Sequence, residues 1–476
     1  MKFSVGLVLF ATLRSIASAP SGRDEALTVR ASTGFITGRI NANYSNVREF
    51  LSVPFGQDTA GPNRFQPPLA VPRSSEKIDA TEYPPACPQY VTSQKTIWNQ
   101  KIPQYLQYSG APNNTAGISA PFATEDCLKL AIWTPANASY ASRLPVAMFW
   151  TGGGFQSNGI LVPGQLPGRW VSRSQSHIVV TINYRMNIMG FPNAGGISTQ
   201  NLGLLDQRLA LEWVRDNIGA FGVPDATHSN FTFVAKNVGC DFPNNFTAEL
   251  DCMQKVDYND IINFLGRYQG NGTLPAISFS TVADEKLVFS NYTERYLQQR
   301  VTRAPMIYSS TANEGGSLST YPADDPQRGV NQTQADATTL QILCGAARSG
   351  ALRQGLGLPT YRYQYAGNWT NQDPLPWMGA YHSSDLVMFF GTYEDGVGPA
   401  SPLEVETSET MQDLLLDFVR DPWNGLSNSS WPAYDPTASN GGTLLRFGAD
   451  GEAVQEVDAS AVQAACSGEG EYDPFP

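Results

Sequence analysis

Three short stretches of this chain carry groups that could stabilise an anion or move a proton. The first is Trp150-Thr151-Gly152-Gly153-Gly154-Phe155-Gln156-Ser157-Asn158-Gly159, which leaves the apolar segment LPVAMFW through three consecutive glycines. Glycine allows positive φ and close approach to the main chain, so bare N–H groups there can be aimed at an anion, as in an oxyanion hole. Taken alone, the same run reads first as a tight turn after a strand. The second is Glu314 in TANEGGS, directly after the apolar segment APMIYSS. Open α/β sheets collect their ligands at such strand ends. The third is His382 in WMGAYHSSDL, on a loop before the helix-like DLVMFF. An imidazole there could serve as a general base, with the carboxylate orienting it and stabilising its cation. Of the other histidines, His177 begins an apolar strand and reads as structural, and His228 lies in a polar loop and reads as exposed.

These groups need a scaffold, and the surrounding runs describe one. LKLAIWTP, LPVAMFW and HIVVTINYR are short apolar segments rich in β-branched and aromatic residues, and the last two are separated by a loop long enough for a crossover. They read as neighbouring strands, the third buried on both faces. GLLDQRLALEWVRDNI, residues 203–218, reads as a helix with Leu205, Leu209 and Trp213 along one side. APMIYSS and PTYRYQY read as two further strands, and the first 80 residues or so as a small antiparallel hairpin region. Strands alternating with helices indicate an α/β sheet within one domain. The expected organisation is a leader at 1–19, a single domain at 20–465 and an acidic, frayed tail at 466–476.

Composition narrows the partners. A formal net charge of -12 with no cluster of lysine or arginine makes nucleic acid and anionic membrane surfaces poor partners. The start, MKFSVGLVLFATLRSIASAP, has a basic Lys2, an apolar run and the small triplet Ala17-Ser18-Ala19, as in a secretory signal. No run is long enough to span a bilayer, so a soluble secreted protein without a stable membrane anchor is expected. Asn-x-Ser/Thr acceptors at Asn43, Asn113, Asn137, Asn230, Asn245, Asn271, Asn291, Asn331, Asn368 and Asn428 suit that route, with N-glycans attached. The six cysteines fit disulfides, and their order suggests Cys87 with Cys127, Cys240 with Cys252 and Cys344 with Cys466, although other pairings remain open. Nothing calls for a metal or an organic cofactor.

Glycine turn, then acid, then histidine is the order of parts in α/β hydrolases. With TEDCLKLAIWTP, GGGF, VVTINYRMNIMGF, NLGLLDQRLALEWVRDNIGAFG, ANEGG, MGAYHSSDL and WPAYDP in sequence, residues 30–450 or so resemble the secreted type-B carboxylesterase and lipase family, which includes the cholinesterases. The resemblance implies an α/β-hydrolase fold with a mostly parallel central sheet and flanking helices. It also implies Gly153 and Gly154 as oxyanion donors, Glu314 as triad acid and His382 as triad base. In that family the first cysteine pair closes a lid-like loop over the gorge, which fits Cys87 and Cys127.

One part is missing. After AFG the family continues through a central strand into Gly-x-Ser-x-Gly, the sharp elbow that presents the nucleophile. This chain reads AFGVPDATHSNFTFVAKNVGCD, and Gly-x-Ser-x-Gly occurs nowhere in it. Either FTFVAKNVG overlays the strand and elbow, with Asn237 in place of the serine, or the elbow has been excised. Phe231, Val234, Ala235 and Val238 are spaced as a helical stripe, which favours excision, near residues 222–230. Such a loss removes central strands from a sheet buried on both faces and leaves apolar edges. Ser157, Ser198 and Ser317 lie in no strand-to-helix elbow and do not substitute.

The sequence thus supports a secreted carboxylic-ester hydrolase lacking its elbow, acting on a small-molecule ester or lipid when complete. Two other readings are a non-catalytic binding or adhesion protein and an esterase with another nucleophile. Trp98, Tyr108, Phe155, Trp377 and Tyr381 could line an apolar gorge or simply fill the core.

Overall fold

The structure, a computed structural model, describes residues 27–92, 94–102, 120, 123–138, 142, 144–216, 230–242, 245–271, 277 and 279–476. The expected leader, Tyr108, Asn113, His228 and the excision site, apart from the backbone of residue 230, lie outside the described residues.

The strands form where the β-branched and aromatic runs lie. They are β1 (Thr28–Ala31), β2 (Gly34–Thr37), β3 (Arg39–Ile40), β4 (Val47–Pro54), β5 (Lys77–Asp79), β6 (Lys129–Pro135), β7 (Val146–Trp150), β8 (Ile178–Ile182), β9 (Met306–Thr311), β10 (Thr360–Tyr365), β11 (Thr443–Ala449) and β12 (Glu452–Asp458). Strands β1, β2 and β5 make a small N-terminal sheet. It was expected to be antiparallel and is mixed: β1 pairs antiparallel with β2, but β5 returns through a long connection and joins β2 parallel.

The other strands fall into two sheets, β3-β4-β6-β8-β7 and β12-β11-β10-β9. Parallel pairing joins β7 to β8 and runs through β9, β10 and β11, whereas β3–β4, β4–β6, β6–β8 and β11–β12 pair antiparallel. β11 turns into β12 through Asp450 and Gly451, both at positive φ, as a tight hairpin requires. β7 and β9 are each the last strand of their sheet. β7 is half-exposed along its length, with Val146 at 37 %. Its neighbour β8 is buried beyond its first residue, and β10 is buried throughout while β9 is half-buried over its first four residues. An unpaired strand edge offers N–H and C=O groups to any further strand.

The principal helices are α1 (Gly168–Ser174), α2 (Leu202–Asp216), α3 (Asn230–Asn237), α4 (Phe246–Met253), α5 (Tyr258–Gly270), α6 (Glu314–Leu318), α7 (Gln332–Gln354), α8 (Ser384–Phe390) and α9 (Pro402–Arg420). Leu209 and Trp213 of α2 pack into the core beneath β4, β6 and β8. A buried bidentate pair fixes the helix: Arg185, just past β8, donates to Asp206 at 2.9 and 2.7 Å. Residues 231–237 are helical, with Phe231, Val234 and Ala235 fully buried. Asn237 ends that helix, exposed, with its side chain donating to the Phe233 carbonyl, so it occupies no elbow.

Disulfides join Cys87 to Cys127, Cys240 to Cys252 and Cys344 to Cys466. The tail is held rather than frayed. The Tyr472 hydroxyl donates to the Ala312 carbonyl at 2.7 Å, beside the turn that carries Glu314.

Candidate active site

Glu314 is set by the register of β9 on β10 and by the turn that leaves β9. The strand ends at Thr311, whose N–H donates to Glu314 Oε1 at 2.8 Å. Helix α7 crosses so close behind that a Cβ on Gly315 would stand 1.9 Å from the Ala335 carbonyl oxygen, so only glycine fits. The Gly315 N–H donates instead to Thr339 Oγ1 at 2.9 Å.

Asn313 ties this turn to the loop of the histidine. Its N–H donates to Ala380 O at 2.8 Å, and its side-chain amide donates to Trp377 O at 3.0 Å and Met378 O at 2.8 Å. His382 Nδ1 then donates to Glu314 Oε2 at 2.5 Å. Burial lowers the histidine pKa, but the Glu314 hydrogen bond and charge, with the Asp385 charge, outweigh it and hold the pKa above 6.5. Asp385 is itself buried and accepts from the Tyr363 hydroxyl at 2.8 Å. Burial, with the Glu314 charge adding to it, pushes its pKa up to about 6 despite the Tyr363 hydrogen bond.

The glycine turn faces the same space. Gly153, at φ 118°, is held so close to the Ser157 carbonyl that a Cβ would stand 2.3 Å from it; Gly154 also has positive φ, at 59°. The Asn158 amide donates to Gly152 O at 3.2 Å and fastens the turn. Among the described residues, the N–H groups of Gly153 and Gly154 donate to no acceptor.

The three glycines and His382 line one cavity of about 310 Å³. Trp98, Leu318, Leu386 and Val387 supply its apolar wall, and Asn158 and Gln165 supply amides. Phe149 of β7 meets Phe390 of α8 edge to face at 4.9 Å, so the helix after His382 ties the two sheets together.

Of the aromatic residues singled out from the sequence, Trp98 lines the cavity, packed against Tyr381. Phe155 packs on Phe191, and Trp377 donates to Pro326 O. Sequence reasoning missed the Asn313 clamp, Asp385 and Gln165; the HSSDL run did contain Asp385, but nothing in it signalled burial. His177 is buried, donating or accepting at Ser174 Oγ and packed at a tilt against Trp170. Ser198 is exposed and Ser317 is buried within α6. Ser383 lines the cavity, but its left-handed backbone precedes α8 as a cap and forms no strand-to-helix elbow. Among the described residues, no group of three or more His, Cys, Asp or Glu side chains is placed to hold a metal ion.

The profile of the carboxylesterase family matches residues 25–226 and 317–464, more than half of the chain. The chain belongs to the carboxylesterase family. Relatives include the chlorogenic acid esterase of Aspergillus niger, 34 % identical over 95 % of this chain and 97 % of that protein. Secreted lipase 5 of Gibberella zeae is 33 % identical over 94 % of this chain and 95 % of its own length. The acetylcholinesterase of Electrophorus electricus is 35 % identical over 46 % of this chain and 32 % of its own. The alignment with the first of these carboxylesterase relatives spans 518 positions while covering 95 % of the 476 residues, about 452, so about 66 positions of the relative face a gap here. No helix among the described residues is long and apolar enough to cross a membrane.

Proposed function

We propose that the functional protein is a secreted carboxylic-ester hydrolase working by serine acyl transfer, and that the chain as it stands lacks the nucleophile and is inactive. In the complete reaction His382 takes the serine proton as the hydroxyl attacks the ester carbonyl, and Glu314 orients the imidazole and stabilises its cation. Gly153 and Gly154 donate to the oxyanion, together with the N–H after the serine. His382 then returns the proton to the leaving alcohol, and water repeats the cycle to free the acid. Without the serine the first step has no reactant, and without the residue after it the oxyanion hole is one donor short.

The observation that carries this reading is a built acid–base pair facing the glycine turn across one cavity, in a chain whose two larger sheets end at β7 and β9. The family match runs to residue 226 and resumes at 317, so its break begins where the elbow belongs, which is compatible with an omitted segment there. The apolar wall of Trp98, Leu318, Leu386 and Val387 suits an apolar acyl or alcohol group, hence a small-molecule ester or lipid.

The test compares the chain as it stands with a form carrying an elbow segment inserted near residues 222–230, both assayed on p-nitrophenyl esters. The expected result is hydrolysis by the second form alone, abolished by His382→Ala. Ester turnover by the first form that depends on His382 would overturn the proposal. An inactive but stably folded and secreted first form, with no longer transcript, would favour a binding protein.

A further inference from the structure

The described acceptor asparagines at 43, 137, 245, 271, 291, 331, 368 and 428 are all exposed, so an oligosaccharide on any of them is compatible with the folded chain. Asn271 differs from the rest in its surroundings. It caps the C-terminus of α5 and lines a groove of about 570 Å³ between α3 and α5. Helical spacing brings Phe264, Arg267 and Tyr268 onto the same face, one and two turns before it, and all three line that groove.

Phe264 and Tyr268 are half-buried, with ring centroids 5.7 Å apart, and Phe233 of α3 stands 5.4 Å from Tyr268. Asp260 and Asn263 complete a polar rim beside these rings. Aromatic faces next to planar polar side chains suit a pyranose, whose C–H face packs on a ring while its hydroxyl and amide groups take hydrogen bonds. Asn271 heads the triplet Asn271-Gly272-Thr273, so a sugar attached there starts inside the groove.

We propose that Asn271 carries an N-linked oligosaccharide and that its first N-acetylglucosamine rings pack in this groove against Tyr268 and Phe264. The sugar donor is a lipid-pyrophosphate-linked oligosaccharide of the secretory pathway. The Asn271 side-chain nitrogen forms the bond to sugar C1, the C1–O bond to the lipid pyrophosphate breaks with its electron pair leaving on the pyrophosphate oxygen, and the amide gives up one proton. The packed glycan covers half-exposed rings and becomes part of the α3–α5 layer.

The experiment expresses the full chain in a eukaryotic secretory host and purifies it from medium and cell lysate together. Peptide mapping after enzymatic deglycosylation in ¹⁸O water should show Asn271 converted to labelled aspartate. Endoglycosidase should release the Asn271 glycan from native protein about tenfold more slowly than the Asn43 glycan, a difference of about one local opening step. Tyr268→Ala should erase that difference; Arg267→Ala, at an exposed position, should narrow it and serves if the first variant does not fold. Thr273→Ala, which removes the acceptor triplet and keeps Asn271, should lower Tm by about 2 °C. An unmodified Asn271, or release at the rate of Asn43, would overturn the proposal.

Discussion

The Glu314–His382 corner and the glycine turn after β7 face one cavity, yet they are held in different ways. The corner is fixed several times over, by the Thr311 N–H, the Asn313 clamp, the Gly315–Thr339 bond and the strand pairing of β9 on β10. The glycine turn has its own local fastening through Asn158, but it leaves a strand with a partner on one side only. On the proposed reading, machinery made by neighbouring loops persists without the central strands, whereas the nucleophile belongs to the segment taken to be omitted.

The largest effect that bears on this contrast is on turnover. Inserting the elbow segment should raise ester hydrolysis by about 10⁶-fold, the order lost when a triad serine is removed. His382→Ala should reduce the restored form to background and leave the chain without the insert unchanged, as steady-state assays would show. A rise without dependence on His382 would break the link between the two regions.

Glycine replacements sharpen the contrast next. Gly315→Ala puts a Cβ against the backbone of α7 and should cost about 4 kcal/mol in denaturant unfolding. Gly152→Ala, whose Cβ would meet nothing within 4 Å, should stay within about 0.5 kcal/mol of wild type.

Acid should affect the two regions in opposite directions. On the glycine-turn side, burial with the Arg420 charge depresses the His177 pKa from 6.5 to about 4. The unfolded chain then binds the extra proton, so stability is lost as pH falls from 6.5 to 4, by about 3 kcal/mol at most. In the corner, Asp385 has its pKa raised to about 6, so the folded state binds the extra proton and that contribution is lost as pH rises from 3.8 to 6. Thermal unfolding at pH 7 and pH 4.5 should therefore show a smaller acid loss for His177→Gln than for wild type, and a larger one for Asp385→Asn. The smallest effect is local. Glu314→Gln should lower the His382 pKa, tracked by NMR titration of the imidazole, because the hydrogen bond and charge that raise it are gone.

The parts written as local pattern were legible in the sequence. Apolar runs gave β6 to β10, the spacing of Phe231, Val234 and Ala235 gave α3, and chain order suggested the three disulfides while leaving other pairings open. Asn313 was not legible as a clamp, because its partners Trp377 and Met378 lie more than sixty residues away. The parallel joining of β5 to β2 and the anchoring of the tail through Tyr472 likewise depend on long-range contacts. Nor did the sequence separate Trp98, which lines the cavity, from Phe155 and Trp377, since an aromatic residue in a strand or loop reads the same whether it borders a cavity or fills a core.

The account rests on a missing segment, and sequencing the mature transcript across the codons for residues 222–230 tests that most directly. It should contain an in-frame insert with Gly-x-Ser-x-Gly inside it. A transcript that runs without an insert would contradict the account and leave a carboxylesterase fold that never had a nucleophile to activate.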